Sequence, residues 1–265
     1  MHPVLFKVGT LTIGTYGLLL SFGFFLALVL SKHLGKREGI STKKIVDLSV
    51  SLLFAGVVGS KLLMIVVDLF NGADIVGILD LAYLRAGGAI HGGIISAVIA
   101  FFWQTKRLRL PVLKTMDCMS PALALGQAVG RLGCFYAGCC YGTTSSLPWA
   151  VTFVDIEAQN ISGTPLAIPL HPVQLYSFLS SLIVTVMLLM VFKRRQFVGQ
   201  VSGCYFVMEG ALRIIVEHWR GDIDRGFLLG IPWLSTGRLT SCLFVIFGIL
   251  ILGYSVRNRQ AVVVR

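Results

Sequence analysis

Apolar runs long enough to cross a bilayer recur along this 265-residue chain, and short basic clusters separate them. A hydrocarbon core about 30 Å thick asks for about 20 apolar residues per helix. Inside that core only self-bonded backbone is tolerated, so such runs become helices. Seven stretches qualify: Ile13–Leu30, Ile45–Leu69, Gly87–Trp103, Leu113–Phe135, Gln174–Phe192, Gly199–Trp219 and Thr236–Tyr254. The third is the shortest. Only 13% of the residues are charged, about half the share in soluble domains. The net charge of +11 would suit nucleic acid, but its carriers lie between apolar runs and form no basic face. Before the first run only Lys7 is positive, so no cleavable leader is read there.

Basic residues in short loops mark the cytoplasmic side. One set of loops carries Lys32, Lys36, Arg37, Lys43 and Lys44, then Lys106, Arg107 and Arg109, then Lys193, Arg194 and Arg195. The tail adds Arg257, Arg259 and Arg265, and residues 136–172 hold no Lys or Arg. With seven spans every cluster falls on one side. The expected fold is therefore an all-α integral membrane protein of seven transmembrane helices, N-terminus out and C-terminus in. Residues 1–265 form a single multi-pass domain, with the outer loop 136–172 as an insertion and small outer head or arm segments.

Charge at membrane depth costs a few kcal/mol per residue and needs a partner. Lys61, Arg131, Glu209, Arg213 and Glu217 stand there. Arg213 and Glu217 are four apart, which suits an ion pair on one helix face. Arg131 sits among Gly126, Gly130 and Gly133; its planar fork suits a lipid phosphate, or it pairs with Asp117 or Glu217. His91 stands between glycines and next to Gly92 and Gly93, either as a proton acceptor or as a histidine bonded to opened backbone. His171, Gln174 and Tyr176 enter the fifth span behind Pro172, as site residues or as an interfacial cap. Tyr16 has the same two readings. Cys118, Cys204 and Cys242 read as buried residues of apolar segments. Cys134, Cys139 and Cys140 are clustered and admit a disulfide, a reactive thiol lowered by Arg131, or a metal site lacking a common zinc spacing.

Taken together these pieces resemble the prolipoprotein diacylglyceryl transferase family over nearly the whole chain. Gly130, Arg131, Gly133, Phe135 and Gly142 match its signature in register, with Asp117, Pro121, Gly126 and Gln127 upstream. His91-Gly92-Gly93 matches its His-Gly-Gly, and His171-Pro172 with Gln174-Leu175-Tyr176 its His-Pro-x-Gln-Leu-Tyr. Arg213, Glu217, Arg220 and Asp222 look like its Arg-x-x-x-Glu-x-x-Arg-x-Asp, and Tyr16-Gly17 like its early Tyr-Gly. The resemblance implies a seven-helix body with an outer head in the bacterial inner membrane. It implies transfer of diacylglyceryl from the phospholipid phosphatidylglycerol to the lipobox cysteine thiol of a secreted prolipoprotein, with no metal, cofactor or nucleic acid. The implied catalytic residues are His91, Arg131 and Arg213, with Cys139 at the signature's glutamate. Tyr16, Lys61, Gly92, Gly93, Cys134, Gly142, His171, Gln174, Tyr176 and Glu217 would bind substrate.

The chain departs from the family pattern within the signature itself. Cys134, Ala137 and Cys139 replace asparagine, asparagine and glutamate; Ser177 replaces a glutamate, and Lys61 an arginine. Arg238 stands at a usual glutamine and Glu209 at a usual tyrosine. Two other readings therefore stay open: a paralogue that binds or moves phospholipid without this chemistry, and a cysteine-dependent acyltransferase. The topology is testable in a background without native cysteines. Ser162→Cys is expected to react with a membrane-impermeant maleimide on intact cells, and Ser41→Cys only after permeabilisation.

Overall fold

Each helix forms where an apolar run meets a turn-former or a charge that can complement the helix dipole. The computed structural model describes residues 3–8, 11–72, 83, 87–222 and 235–258. A hairpin of β1 (Val4–Val8) and β2 (Leu11–Gly14) leads into α1 (Thr15–Arg37) and α2 (Thr42–Phe70). Next come α3 (Ile90–Arg107), α4 (Val112–Ala137), β3 (Val151–Thr152), α5 (Ile156–Ser162) and β4 (Pro169–Leu170). The chain continues through α6 (Val173–Arg194), α7 (Gln200–Val216), a 3₁₀ turn (Glu217–Trp219) and α8 (Thr236–Arg257). Four helices, α1, α2, α6 and α8, are long and apolar enough to cross a membrane. The protein is a helical, multi-pass membrane protein. Of the other three long helices, α7 has only 17 residues, and α3 and α4 carry more polar side chains.

The structure adjusts the sequence expectation at several points. It is not purely helical: residues 11–14, placed partly in the first span, pair as a strand, and the 136–172 insertion closes on a second two-stranded piece, β3 with β4. The third helix starts at Ile90, because Gly87, Gly88 and Ala89 are taken up in a connection whose Ala89 N–H bonds Ser60 O at 3.0 Å. The sixth run tightens to 3₁₀ at Glu217. Cys118 is buried, Cys204 is half-buried, and Cys242 is exposed on an outward face of α8. Arg259, Arg265 and most of the segment after Arg220 lie outside the described residues.

Basic residues occupy the last turn of α1, α3, α6 and α8 and are absent from that of α2 and α4. A cation there faces the negative end of the helix dipole, so one residue choice serves both the helix terminus and the charge bias of the loops. Outward faces stay apolar; Phe54 is 66% exposed on α2.

The chain divides into two compact units, Met1–Leu34 with Met116–Arg265, and Gly35–Thr115. In the second unit α2 and α3 meet through small residues. A Cβ on Gly92 would lie 2.3 Å from Gly59 O, so the backbones touch in the manner of small-residue membrane interfaces. The loop after α3 turns at Arg109 (φ 50°), and Lys44 Nζ donates to Leu108 O at 2.8 Å.

In the first unit α1 lies along α4. A Cβ on Gly23 would meet Gly126 O at 3.0 Å, and one on Gly133 would meet the Tyr16 ring at 3.1 Å. Asp117 of α4, fully buried, caps the start of α7. Its carboxylate accepts from Gly199 N (2.7 Å), Ser202 N (2.9 Å) and Ser202 Oγ (3.0 Å), and Arg195 Nη1 lies 3.8 Å away. Arg195, counted from sequence among the loop cations, is thus buried beside Asp117, its guanidinium 4.2 Å from the Phe192 ring centre. Removing one member of a buried charged pair costs about 3–5 kcal/mol. Asp117→Ala is expected to destabilise the detergent-solubilised protein by that order, read as a lowered melting temperature, with Asp117→Asn in between.

Candidate functional site

The site is built where α4 ends. Gly138 reverses the chain with φ 81°, a left-handed conformation that glycine adopts at no steric cost. Cys140 follows with φ 59°, unusual for a residue with a side chain. The two turns fold Cys139 and Cys140 back on Cys134, so that the three sulfurs lie within 4.8 Å of one another. All three are free thiols, as are Cys118, Cys204 and Cys242. The disulfide reading of the cluster is therefore not realised in this structure.

This loop is fastened from both sides. Thr164 Oγ1 donates to Gly138 O at 3.0 Å, and Gln174 Nε2 donates to Cys139 O at 2.8 Å. Gly142 bridges to Arg220, with Thr143 N bonded to Trp219 O (2.9 Å) and Gly221 N to Tyr141 O (3.0 Å). A Cβ on Gly142 would collide with His171 O at 2.4 Å. The signature glycine is thus required by close backbone approach. Gln174 is 1% exposed, and its Oε1 has no donor among the described residues.

Around the loop stand the cations. Arg213 Nη2 meets Glu217 Oε2 at 3.0 Å, as the four-residue spacing predicts. Glu217, 2% exposed, also accepts from Ser235 Oγ at 2.8 Å and faces Arg220 Nη1 at 3.8 Å. Arg220 grips Asp222 with both branches of its fork, at 2.6 and 2.8 Å. Asp117 and Glu217 are thereby committed to other arginines. Arg131 is half-buried and makes no hydrogen bond or ion pair among the described residues. The partner expected for each deep charge is not found for Arg131 among the described residues. Glu209, one turn before Arg213, lies within electrostatic reach of Arg131. Arg213 Nη1 is buried and also has no acceptor among the described residues.

Tyr16 is drawn in by its packing on Gly133 and lies within electrostatic reach of Arg131 and all three cysteines. His171 Nδ1 stands 3.2 Å from Tyr176 Oη, which also accepts from Trp149 Nε1 at 2.9 Å. Trp219 closes this aromatic group at 6.1 Å from the Tyr176 ring. One unit therefore gathers Tyr16, Arg131, Cys134, Cys139, Gly142, His171, Gln174, Tyr176, Arg213 and Glu217. The other unit holds Lys61, His91, Gly92 and Gly93. There Lys61 Nζ donates to Tyr83 O (2.7 Å) and Gly87 O (3.0 Å), and Gly92 and Gly93 serve the contact with α2. His91 is exposed, one residue into α3, with no partner among the described residues.

Cys140 and Arg220, which the sequence reading named in the cysteine cluster and in a motif without giving either a site role, join the site with Trp149 and Trp219, which it did not name. The adjacent Cys139-Cys140 pair was the one available signal for Cys140. The two thiols are pushed in opposite directions. Cys139 is raised, because it donates to Cys134 and Cys140 and is partly desolvated. Cys140 is lowered, because it accepts from Cys134 and Cys139 and is near the charges of Arg220 and Arg131.

Taken as a class, this is a multi-pass membrane protein with a cation-rich, thiol-bearing site set into an apolar helical body. A family model described as "Prolipoprotein diacylglyceryl transferase" matches residues 3–254. A phosphatidylglycerol–prolipoprotein diacylglyceryl transferase of Clostridium tetani is 36% identical over 95% of this chain and 96% of its own length. Proteins of the same name from Finegoldia magna and Serratia proteamaculans are 35% and 29% identical, over 95% and 97% of this chain and 94% of each relative. The chain belongs to the prolipoprotein diacylglyceryl transferase family.

The lowered thiol has a kinetic signature. An ordinary cysteine, with a pKa near about 8.5, loses iodoacetamide reactivity by about 50–100-fold between pH 8 and pH 6. Cys140, its pKa depressed, stays thiolate throughout this window, so its rate in EDTA-containing detergent is expected to fall less than about threefold. Arg220→Gln should restore part of the ordinary pH dependence, scored by peptide mass spectrometry.

Proposed function

We propose that this protein transfers the diacylglyceryl group of phosphatidylglycerol to the cysteine thiol of a prolipoprotein, releasing glycerol phosphate. The observation that carries the reading is Arg131: a half-buried guanidinium with no hydrogen bond or ion pair among the described residues, in a chain whose residues 3–254 match this family. An arginine at membrane depth is costly, and a phosphate is the anion its fork fits best. Arg213, held by Glu217 with one nitrogen still free, supplies a second donor. Together they would bind the headgroup phosphate and stabilise the charge that grows on it as the glyceryl carbon–oxygen bond breaks. The acceptor sulfur forms the new carbon–sulfur bond, and the departing phosphate keeps the electron pair. His91 takes the thiol proton in this reading, and Tyr16, Gln174, His171 and Tyr176 line the substrate region.

The same reading sets the protein in the bacterial inner membrane. It has seven spans, N-terminus out and C-terminus in, in a single domain whose 136–172 insertion faces outward with the site. The acceptor then arrives from the side to which secreted precursors are delivered. The agreement of every basic cluster with one face supports this orientation.

A second reading draws on the lowered Cys140 thiol. A thiolate could accept a fatty acyl chain from a phospholipid as a thioester and pass it on. That chemistry would leave a hydroxylamine-sensitive acyl label on the protein.

The deciding measurement uses radiolabelled phosphatidylglycerol and a lipobox peptide with purified, folded protein. Wild type should form the thioether-linked product. Arg131→Ala and Arg213→Ala should each lower kcat/KM by about 100-fold or more, the usual cost of losing one donor to a developing anion, and Arg131→Lys less. Phospholipid binding without any transfer would leave the family chemistry lost and the headgroup clamp retained.

A further inference from the structure

We propose that Cys134, Cys139 and Cys140 form a three-thiolate site for a zinc-class metal ion, with a fourth position left open for an external thiol. The geometry is close to what such an ion requires. Zinc–sulfur bonds of about 2.3 Å set neighbouring sulfurs about 3.8–4.0 Å apart. The three sulfurs lie within 4.8 Å of one another without an ion, so closure asks for shifts below about 1 Å.

The site is also preorganised. The left-handed turns at Gly138 and Cys140 aim two cysteines back at the third, and Thr164, Gln174 and the Gly142–Arg220 bridge hold the loop in that shape. A positive φ at a residue with a side chain costs free energy, and bringing three sulfurs to one point is what that conformation achieves here.

Donor softness selects the metal. Thiolates favour zinc and cuprous copper over magnesium, calcium or manganese, and zinc brings no redox chemistry. All three cysteines bind as thiolates, and any thiol protons they still carry are released to solvent. The resulting centre carries one net negative charge, and Arg131 and Arg220 are near enough to Cys140 to offset it.

Ligand number decides the kind of site. Structural zinc has four protein ligands, whereas catalytic zinc keeps one position open. Among the described residues no fourth metal-binding side chain joins the cluster, and His171 Nδ1 is engaged by Tyr176. The open position suits a thiol, which binds as thiolate and loses its proton in doing so. On the transferase reading above, on which this clause rests, that thiol is the acceptor cysteine. Its metal-held sulfur attacks the glyceryl carbon while the carbon–oxygen bond breaks towards phosphate. The metal would then take the part of the asparagine and glutamate that Cys134 and Cys139 replace.

The test uses the full chain, metal-stripped in detergent and titrated with Co²⁺. Wild type should bind one ion, with a sulfur-to-cobalt charge-transfer band and strong tetrahedral visible absorption that zinc then bleaches. Cys134→Ser, Cys139→Ser and Cys140→Ser should each weaken binding by about 100-fold or more, because loss of an outer-shell partner alone costs about 10–100-fold. Cys204→Ser and Cys242→Ser should bind as wild type. An independent readout needs no variant: zinc should shield the three clustered cysteines, and not Cys242, from alkylation. A wild-type protein without a saturable band, or a band that survives in the triple serine variant, overturns the proposal. So does a purified protein in which Cys134 is disulfide-bonded to Cys139 or Cys140 and cannot be metallated after reduction. A lipobox peptide should shift the cobalt spectrum, and its serine counterpart should not; equal responses overturn the open-position clause. Metal binding is scored without lipid, so its failure leaves the transferase assay standing, and failure of transfer leaves the metal result standing.

Discussion

Glu217 is a carboxylate at 2% exposure, and it stands where the last two helices and the cysteine loop meet. In an apolar surrounding such a charge is tolerated only when opposite charges and donors surround it. Arg213 comes from the helix before it, Arg220 from the turn after it, and Ser235 from the cap of α8. Arg220 in turn pairs its backbone with Gly142 and its guanidinium with Asp222. One buried anion thus ties α7 to α8 and positions the backbone at Arg220 against which the cysteine loop is fastened. It satisfies one arm of Arg213 and leaves the other without an acceptor among the described residues.

Charge placement explains the division of labour among the arginines. Arg195 and Arg220 sit beside protein carboxylates and hold structure together. Among the described residues Arg131 has no such neighbour within bonding distance, and that contrast singles it out for a ligand anion. A guanidinium that is satisfied internally has little left to offer a phosphate. The neighbouring glycines have a different task from the one their spacing invites: Gly126 and Gly133 are used by α1 packing on α4. By admitting Tyr16 against Gly133, that packing brings a phenol within electrostatic reach of Arg131 and the thiols.

The cysteine cluster shows where reading the chain reaches its end. Spacing placed Cys134, Cys139 and Cys140 together, but a disulfide, a thiol and a metal site share that spacing. Two backbone angles, at Gly138 and Cys140, turn proximity in sequence into three sulfurs within 4.8 Å. Cys140 drew no assignment because its neighbour occupied the family's glutamate position. Its surroundings, with Arg220 arriving from 80 residues away, have no local trace. Cys242 erred in the other direction, since an apolar neighbourhood in the chain is the same for a residue facing inward or outward.

The sequence by itself determined where the helices run, how their ends are charged and which family the motifs resemble. Hydropathy, capping and dipole complementarity act within a few residues, so a string of letters is enough to express them. Only the tertiary structure decided which acids Arg195, Arg213 and Arg220 meet, that Arg131 meets none among the described residues, and that three thiols share one corner. Those outcomes depend on distances between segments far apart in the chain, and on how tightly the backbones can approach where a side chain is reduced to hydrogen.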